Sequence, residues 1–108
     1  MFNEPLPAEP ELLKALLIPL LEDFQYWFGL SQTRLQQERM TFMPEATQQD
    51  LLQRVNESLH SVSAMQALVN ATDGQVGVDM QVLMGWHRLV HECWGVSLKH
   101  RQSQQESS

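Results

Sequence analysis

Only one cysteine occurs in the chain, Cys93. No disulfide can close within it, so the fold must rest on packing and not on cross-links. Basic residues are scarce as well. Seven Lys and Arg stand against thirteen Asp and Glu, a formal net charge of −6. That balance lacks the attraction to phosphate that drives nonspecific nucleic-acid binding, so no nucleic acid is expected as a partner. No apolar run reaches the roughly 18 residues needed to span a bilayer. Alternating strand patterns are missing too. So are a glycine-rich phosphate loop, a nucleophile triad signature and a His-Glu-x-x-His pair. Nothing here fixes a reaction, and neither a cofactor nor a catalytic residue is expected.

What the chain has is leucine at helical spacing. Hydrophobic residues make up 43% of its 108 residues, enough for one packed domain. Between Glu11 and Phe28, the residues Leu12, Leu13, Leu16, Leu17, Leu20, Leu21, Phe24, Trp27 and Phe28 recur at steps of three and four. This is a wide amphipathic face. The spacing predicts a first helix over 10–41, kinked or broken near Pro19, where the ring removes a backbone bond. Thr47 suits the cap of a second helix over 47–71, whose stripe is Leu51, Leu52, Val55, Leu59, Val62, Met65 and Val69. Asp73-Gly74 and Gly77 mark a turn. Asp79 suits the cap of a third helix over 79–99, with Val82, Leu83, Trp86, Leu89, Val90, Cys93 and Trp94 facing the core. Residues 1–9 read as a proline-rich tail, 10–99 as one domain and 100–108 as a disordered polar tail. Lys99, His100 and Arg101 fall where the third helix should end, and cations there suit the helix dipole. The fold class is all-α, an antiparallel three-helix bundle with a long, kinked first helix.

The richest segment for chemistry is Trp86-His87-Arg88-Leu89-Val90-His91-Glu92-Cys93-Trp94. His87 and His91 are four apart and share a helix face, as a metal chelate would need, and His60 is a conceivable third ligand. Cys93 cannot easily join them, because at about 100° per residue it lies roughly 160° round the helix from His91. The plain reading is two solvated histidines, one structural cysteine and no tightly bound zinc. The aromatics of the first and third helices read as core, except Tyr26, which points off the stripe. Further along the first helix, Ser31, Arg34 and Glu38 continue the apolar line. Arg34 and Glu38 are spaced to pair. The plain reading is a helix end turning to solvent. The sharper one is a polar groove between the first and third helices.

Three segments carry a resemblance: Leu20 to Phe28, Ala71 to Val78 and Trp86 to Trp94. Together they resemble a family of small cyanobacterial proteins classed as a domain of unknown function, over about residues 10–98. The resemblance implies a cyanobacterial cytosolic setting, with the thylakoid surface within reach. It brings no activity, cofactor or site residue. The acidic, proline-rich start of the chain is unlike a signal peptide, which agrees with a cytosolic expectation.

Helix lengths give the functional expectation. A first helix of about 32 residues reaches roughly 48 Å, whereas a second of about 25 reaches roughly 37 Å. The surplus should appear at the N-terminal end of the first, leaving Leu12, Leu13, Leu16 and Leu17 for a protein partner or a second copy, with Tyr26 as a further contact. Alternatively the 71–78 turn folds over them. The leading reading is a non-enzymatic interaction module, an adaptor, assembly factor or small regulator, peripheral to a membrane complex if to any membrane. The alternative is a small-molecule or metal binder, or an enzyme, using His87, His91 and the Ser31/Arg34/Glu38 strip.

Overall fold

The computed structural model describes residues 9–72 and 79–107. Three helices account for nearly all of them: α1 over Glu9–Gln37, α2 over Glu45–Thr72 and α3 over Met80–Ser107. Gln25 bonds to Ser63 and Gln32 to Asn56 across α1 and α2, so these two run antiparallel. Phe24 meets Trp86, Trp27 meets Trp94 and Glu38 meets His100, so α3 runs parallel to α1. The bundle is up-down-up, and the all-α three-helix expectation holds. α1 packs closely along α2 and more loosely against α3. No described helix is long and apolar enough to cross a membrane.

The core is one cluster. Leu17, Leu21, Phe24, Phe28 and Leu35 come from α1 and Leu51, Val55, Val62 and Val69 from α2. Trp86, Leu89, Val90 and Cys93 come from α3, and Met40 from the first link. Phe28, Leu21, Val55 and Val62 are fully buried. Trp86 sets its edge against Phe24, 5.6 Å between centroids, in the favoured T-shaped arrangement. Leu52 and Leu59 are partly buried at the cluster's margin. The expected core is corrected at Val82, which is 41% exposed, and at Trp94, which is 42% exposed. Trp94 falls on the α1 side of the α3 stripe, where the loose seam leaves its ring against Trp27 and water.

Helix ends depart from the periodic reading for identifiable reasons. α1 stops at Gln37, four residues short, because the buried side chain of Gln48 takes over its last carbonyls. Gln48 Nε2 donates to Leu35 O at 3.0 Å and Glu38 O at 2.8 Å. Its Oε1 accepts from Met40 N at 2.9 Å and from Arg39 at 2.8 Å. Arg39 also donates to the carbonyls of Met40 and Met43. These bonds cap α1 and fix the 38–44 link. α2 begins at Glu45, with Gln48 N donating to Pro44 O, so Thr47 lies within the first turn and is not the cap. Asp79 is the cap of α3: its Oδ1 accepts from Gln81 N at 2.8 Å. α3 does not end at Lys99 but continues to Ser107, since residues 96–107 contain no Gly or Pro and are rich in good helix formers. α1 runs unbroken through Pro19, between the buried Leu17 and Leu21.

The lengths that suggested an overhang are also corrected. α1 has 29 residues and α2 and α3 have 28 each. Stagger, not length, sets the ends. In the register of the Gln25–Ser63 and Gln32–Asn56 bonds, Thr72 stands level with Leu16. In the register of Phe24 and Trp86, Met80 stands level with Ile18. The first two turns of α1 therefore project past the described ends of both neighbours. The 73–78 link lies outside the described residues, and with it the expectation that this link covers the leucines.

Candidate functional site

Two surfaces between α1 and α3 hold the residues singled out by sequence. The first is a run of rings along the outer side of the seam. Tyr26 contacts Trp27 at 5.0 Å between centroids, and Trp27 contacts Trp94 at 5.2 Å. Trp94 contacts His91 at 4.9 Å, and His91 contacts His87 at 4.4 Å. Tyr26 is 62% exposed, in line with its direction off the stripe. Leu16 and Leu20 share the Trp27 face of α1 at helical spacing and are 64% and 38% exposed. Leu12 is exposed as well. Leu17 is not part of this surface: at 3% exposure it is core, because it lies one position round from Leu16, toward Leu21 and Phe24. The side chain of Leu13 lies outside the described residues.

α3 contributes more to this surface than sequence reasoning assigned it. Met80, Met84, His87, His91, Trp94 and Leu98 are all exposed. Their steps are four, three, four, three and four, the spacing of a second amphipathic stripe. Interleaving with the Trp86–Val90–Cys93 stripe hid it, since a helix apolar on two sides blurs a single moment. The spacing was the available signal.

Nε2 of His87 and Nε2 of His91 lie 3.2 Å apart. Cys93 is buried on the opposite side and His60 is exposed on α2. Among the described residues no three His, Cys, Asp or Glu side chains gather in a way that would hold a metal ion.

The second surface is the polar groove. Arg34, Glu38, Ser97, His100, Arg101 and Gln104 line a cavity of about 130 Å³. Glu38 Oε1 lies 3.7 Å from His100 Nε2. Among the described groups this nitrogen is buried without a hydrogen-bond partner. Ser31 belongs to a different spot. It lines a gap of about 10 Å³ with Arg34 and Cys93, too small for a ligand. Burial pushes the Cys93 thiol up, and its hydrogen bond with Ser31 opposes that. A buried neutral thiol is a poor nucleophile. Native protein at neutral pH should therefore react with a water-soluble aromatic disulfide only on unfolding. Rapid stoichiometric labelling of the folded chain would show that the seam opens at Ser31.

On the far side Arg54 bridges α2 and α3. It pairs with Glu92 at 2.7 Å and Asp50 at 3.0 Å. The Glu92 hydrogen bond is the main cause of its raised pKa. These groups are about half exposed, and such pairs contribute about 0–1 kcal/mol. The α2 side thus shows a solvated face of ordinary charge, and the apolar excess lies along α1 and α3.

The family described as Protein of unknown function (DUF2605) matches residues 7–102, and the chain belongs to it. No curated protein and no solved structure matches the chain.

Proposed function

We propose that the chain is a non-enzymatic protein–protein interaction module, acting as an adaptor, assembly factor or small regulator. Its docking surface is the outer face of α1 and α3. The observation that carries this is the ring run from exposed Tyr26 through half-buried Trp27 to exposed Trp94, His91 and His87, flanked by exposed Leu16, Leu20 and Met84. Large apolar side chains grouped on one side of a small domain forgo burial worth roughly 1.5–3 kcal/mol each. Aromatic and methionine side chains at such a patch are the usual anchors of an interface. The cyanobacterial setting implied by the resemblance, in the cytosol or at the thylakoid surface and in the service of the photosynthetic machinery, belongs to the same proposal.

The test is the double substitution Leu16→Asp with Met84→Asp. Both side chains are exposed, so the variant should fold with an unchanged melting temperature. It should lose a defined partner or the oligomeric state of the parent, read by comparative pull-down and light scattering. A folded variant that keeps both would remove this face from consideration. Leu17→Asp serves as the contrast: it buries a charge in the core and should unfold the chain.

A further inference from the structure

The outer stripe of α3 is nearly a palindrome. Met80 and Leu98, Met84 and Trp94, and His87 and His91 are each symmetric about position 89. At about 100° per residue, the six positions fall within roughly 80° of the helix circumference. From 80 to 98 the stripe runs about 27 Å. A two-fold interface must be self-complementary, with each residue i meeting j and each j meeting i. The stripe can meet that condition, with its apolar residues at equal distances on either side of the two histidines.

We propose that a second copy of this chain docks antiparallel on the outer stripe of α3, and that His87 and His91 of both copies form a four-imidazole site for zinc. This rests on the reading of the α1/α3 face as a docking surface and names its occupant. In the antiparallel register Met80 meets Leu98 of the second copy, and Met84 meets its Trp94. The two histidine pairs meet at the axis.

The histidine geometry fits a metal. Zinc binds imidazole nitrogen at about 2.0–2.1 Å. Two nitrogens 3.2 Å apart then subtend about 100° at the ion, close to the tetrahedral angle. One chain supplies two ligands, and the described residues offer no third. A structural zinc takes four ligands. The second copy supplies the missing pair on the same stripe that buries the methionines and Trp94. No redox or bond-making step is involved: neutral imidazoles displace water from the ion.

The full chain is stripped with a chelator, then titrated with zinc chloride while its mass is read by sedimentation velocity and bound zinc by inductively coupled plasma spectrometry. The expected result is a doubling of mass that saturates at one zinc per two chains and reverses with chelator. His87→Ala should abolish the zinc response while leaving the helical circular dichroism intact. Met84→Asp with Leu98→Asp should weaken zinc-driven pairing at least tenfold. A mixture of Met80→Cys and Leu98→Cys chains should cross-link to each other in zinc and not to themselves. Zinc bound to monomers, no zinc bound, or a dimer indifferent to His87→Ala would each overturn the proposal. Those outcomes leave the outer face open to a different protein. A zinc dimer untouched by Met84→Asp with Leu98→Asp overturns docking on this stripe and, with it, the α3 part of the functional reading.

Discussion

Trp86→Ala should lower the free energy of unfolding by about 3–5 kcal/mol, the usual cost of emptying a large aromatic site. Trp86 is 6% exposed and sits where all three helices contribute. Its ring edge rests on Phe24, so the substitution removes an aromatic pair as well as burial. The neighbours cannot collapse easily into the space. Phe24 is held by stacking on Phe28 at 5.9 Å, and Val90 is fixed on the same helix. In a domain near 100 residues each kcal/mol moves the melting temperature by roughly 4–8 °C. The fall should therefore exceed about 12 °C. Trp94→Ala is the comparison. Trp94 is 42% exposed and should cost far less, which separates the inner stripe of α3 from the outer. Equal losses for the two substitutions would mean that α3 is rotated from the position described. Urea midpoints at constant slope are the measurement.

The parts of this fold that were legible are those set by periodicity and by local capping. Three helices, the buried positions of Trp86, Val90 and Cys93, and the Asp79 cap all follow from short-range rules. What was not legible depends on contacts between residues far apart in sequence. The end of α1 is one example. Nothing near Gln37 stops a helix; a glutamine eleven residues later does, by taking the carbonyls of Leu35 and Glu38. The stagger of α1 on α2 is another. It is fixed by side-chain bonds such as Gln25 to Ser63, and helix lengths alone do not reveal it. The exposed leucines were thus reached through a mistaken length difference, and Leu17 was wrongly placed among them.

The candidate surface was legible in fragments. Tyr26 is legible because it points off a strong stripe, whereas Leu12 and Leu16 follow only from the overhang at the start of α1. The α3 half was missed because Trp94 and the two histidines were assigned to separate categories, one core and the others solvent. Read at steps of three and four with Met80, Met84 and Leu98, they form a single line. The polar groove of Arg34 and Glu38 with α3 follows from the parallel run of α1 and α3, which an up-down-up order of three helices requires.

Gln48→Ala should destabilise the chain by about 2–4 kcal/mol, although the residue is polar. Among the described residues it is the one polar side chain in the buried set, at 5% exposure, and both its amide nitrogen and its oxygen bond to the end of α1 and the link. Removing it leaves the carbonyls of Leu35 and Glu38 and the amide of Met40 without their partner. Each buried group stranded in this way costs about 1–3 kcal/mol, and access of water to the half-exposed members brings the sum below full additivity. Gln48→Met decides between lost bonds and lost volume. Methionine fills a similar space and offers no donor, so it should recover little of the loss. A Gln48→Met chain as stable as the parent would show that packing, and not capping, is the contribution of this residue. Hydrogen exchange gives a second view. Loss of the cap should raise exchange at Glu38 and Met40 and in the last turn of α1, whereas the middle of α3 should slow or quicken only with global stability. The 38–44 link holds Met40 and Leu35 in the core next to Leu51, so its loosening propagates inward. It should not reach His87 and His91 while the chain stays folded, because the link meets α3 further along, where Lys99 lies over the Phe42 ring and His100 beside Glu38. A Gln48→Ala chain that is folded but has lost the zinc response of α3 would therefore contradict the separation of the two features along the bundle.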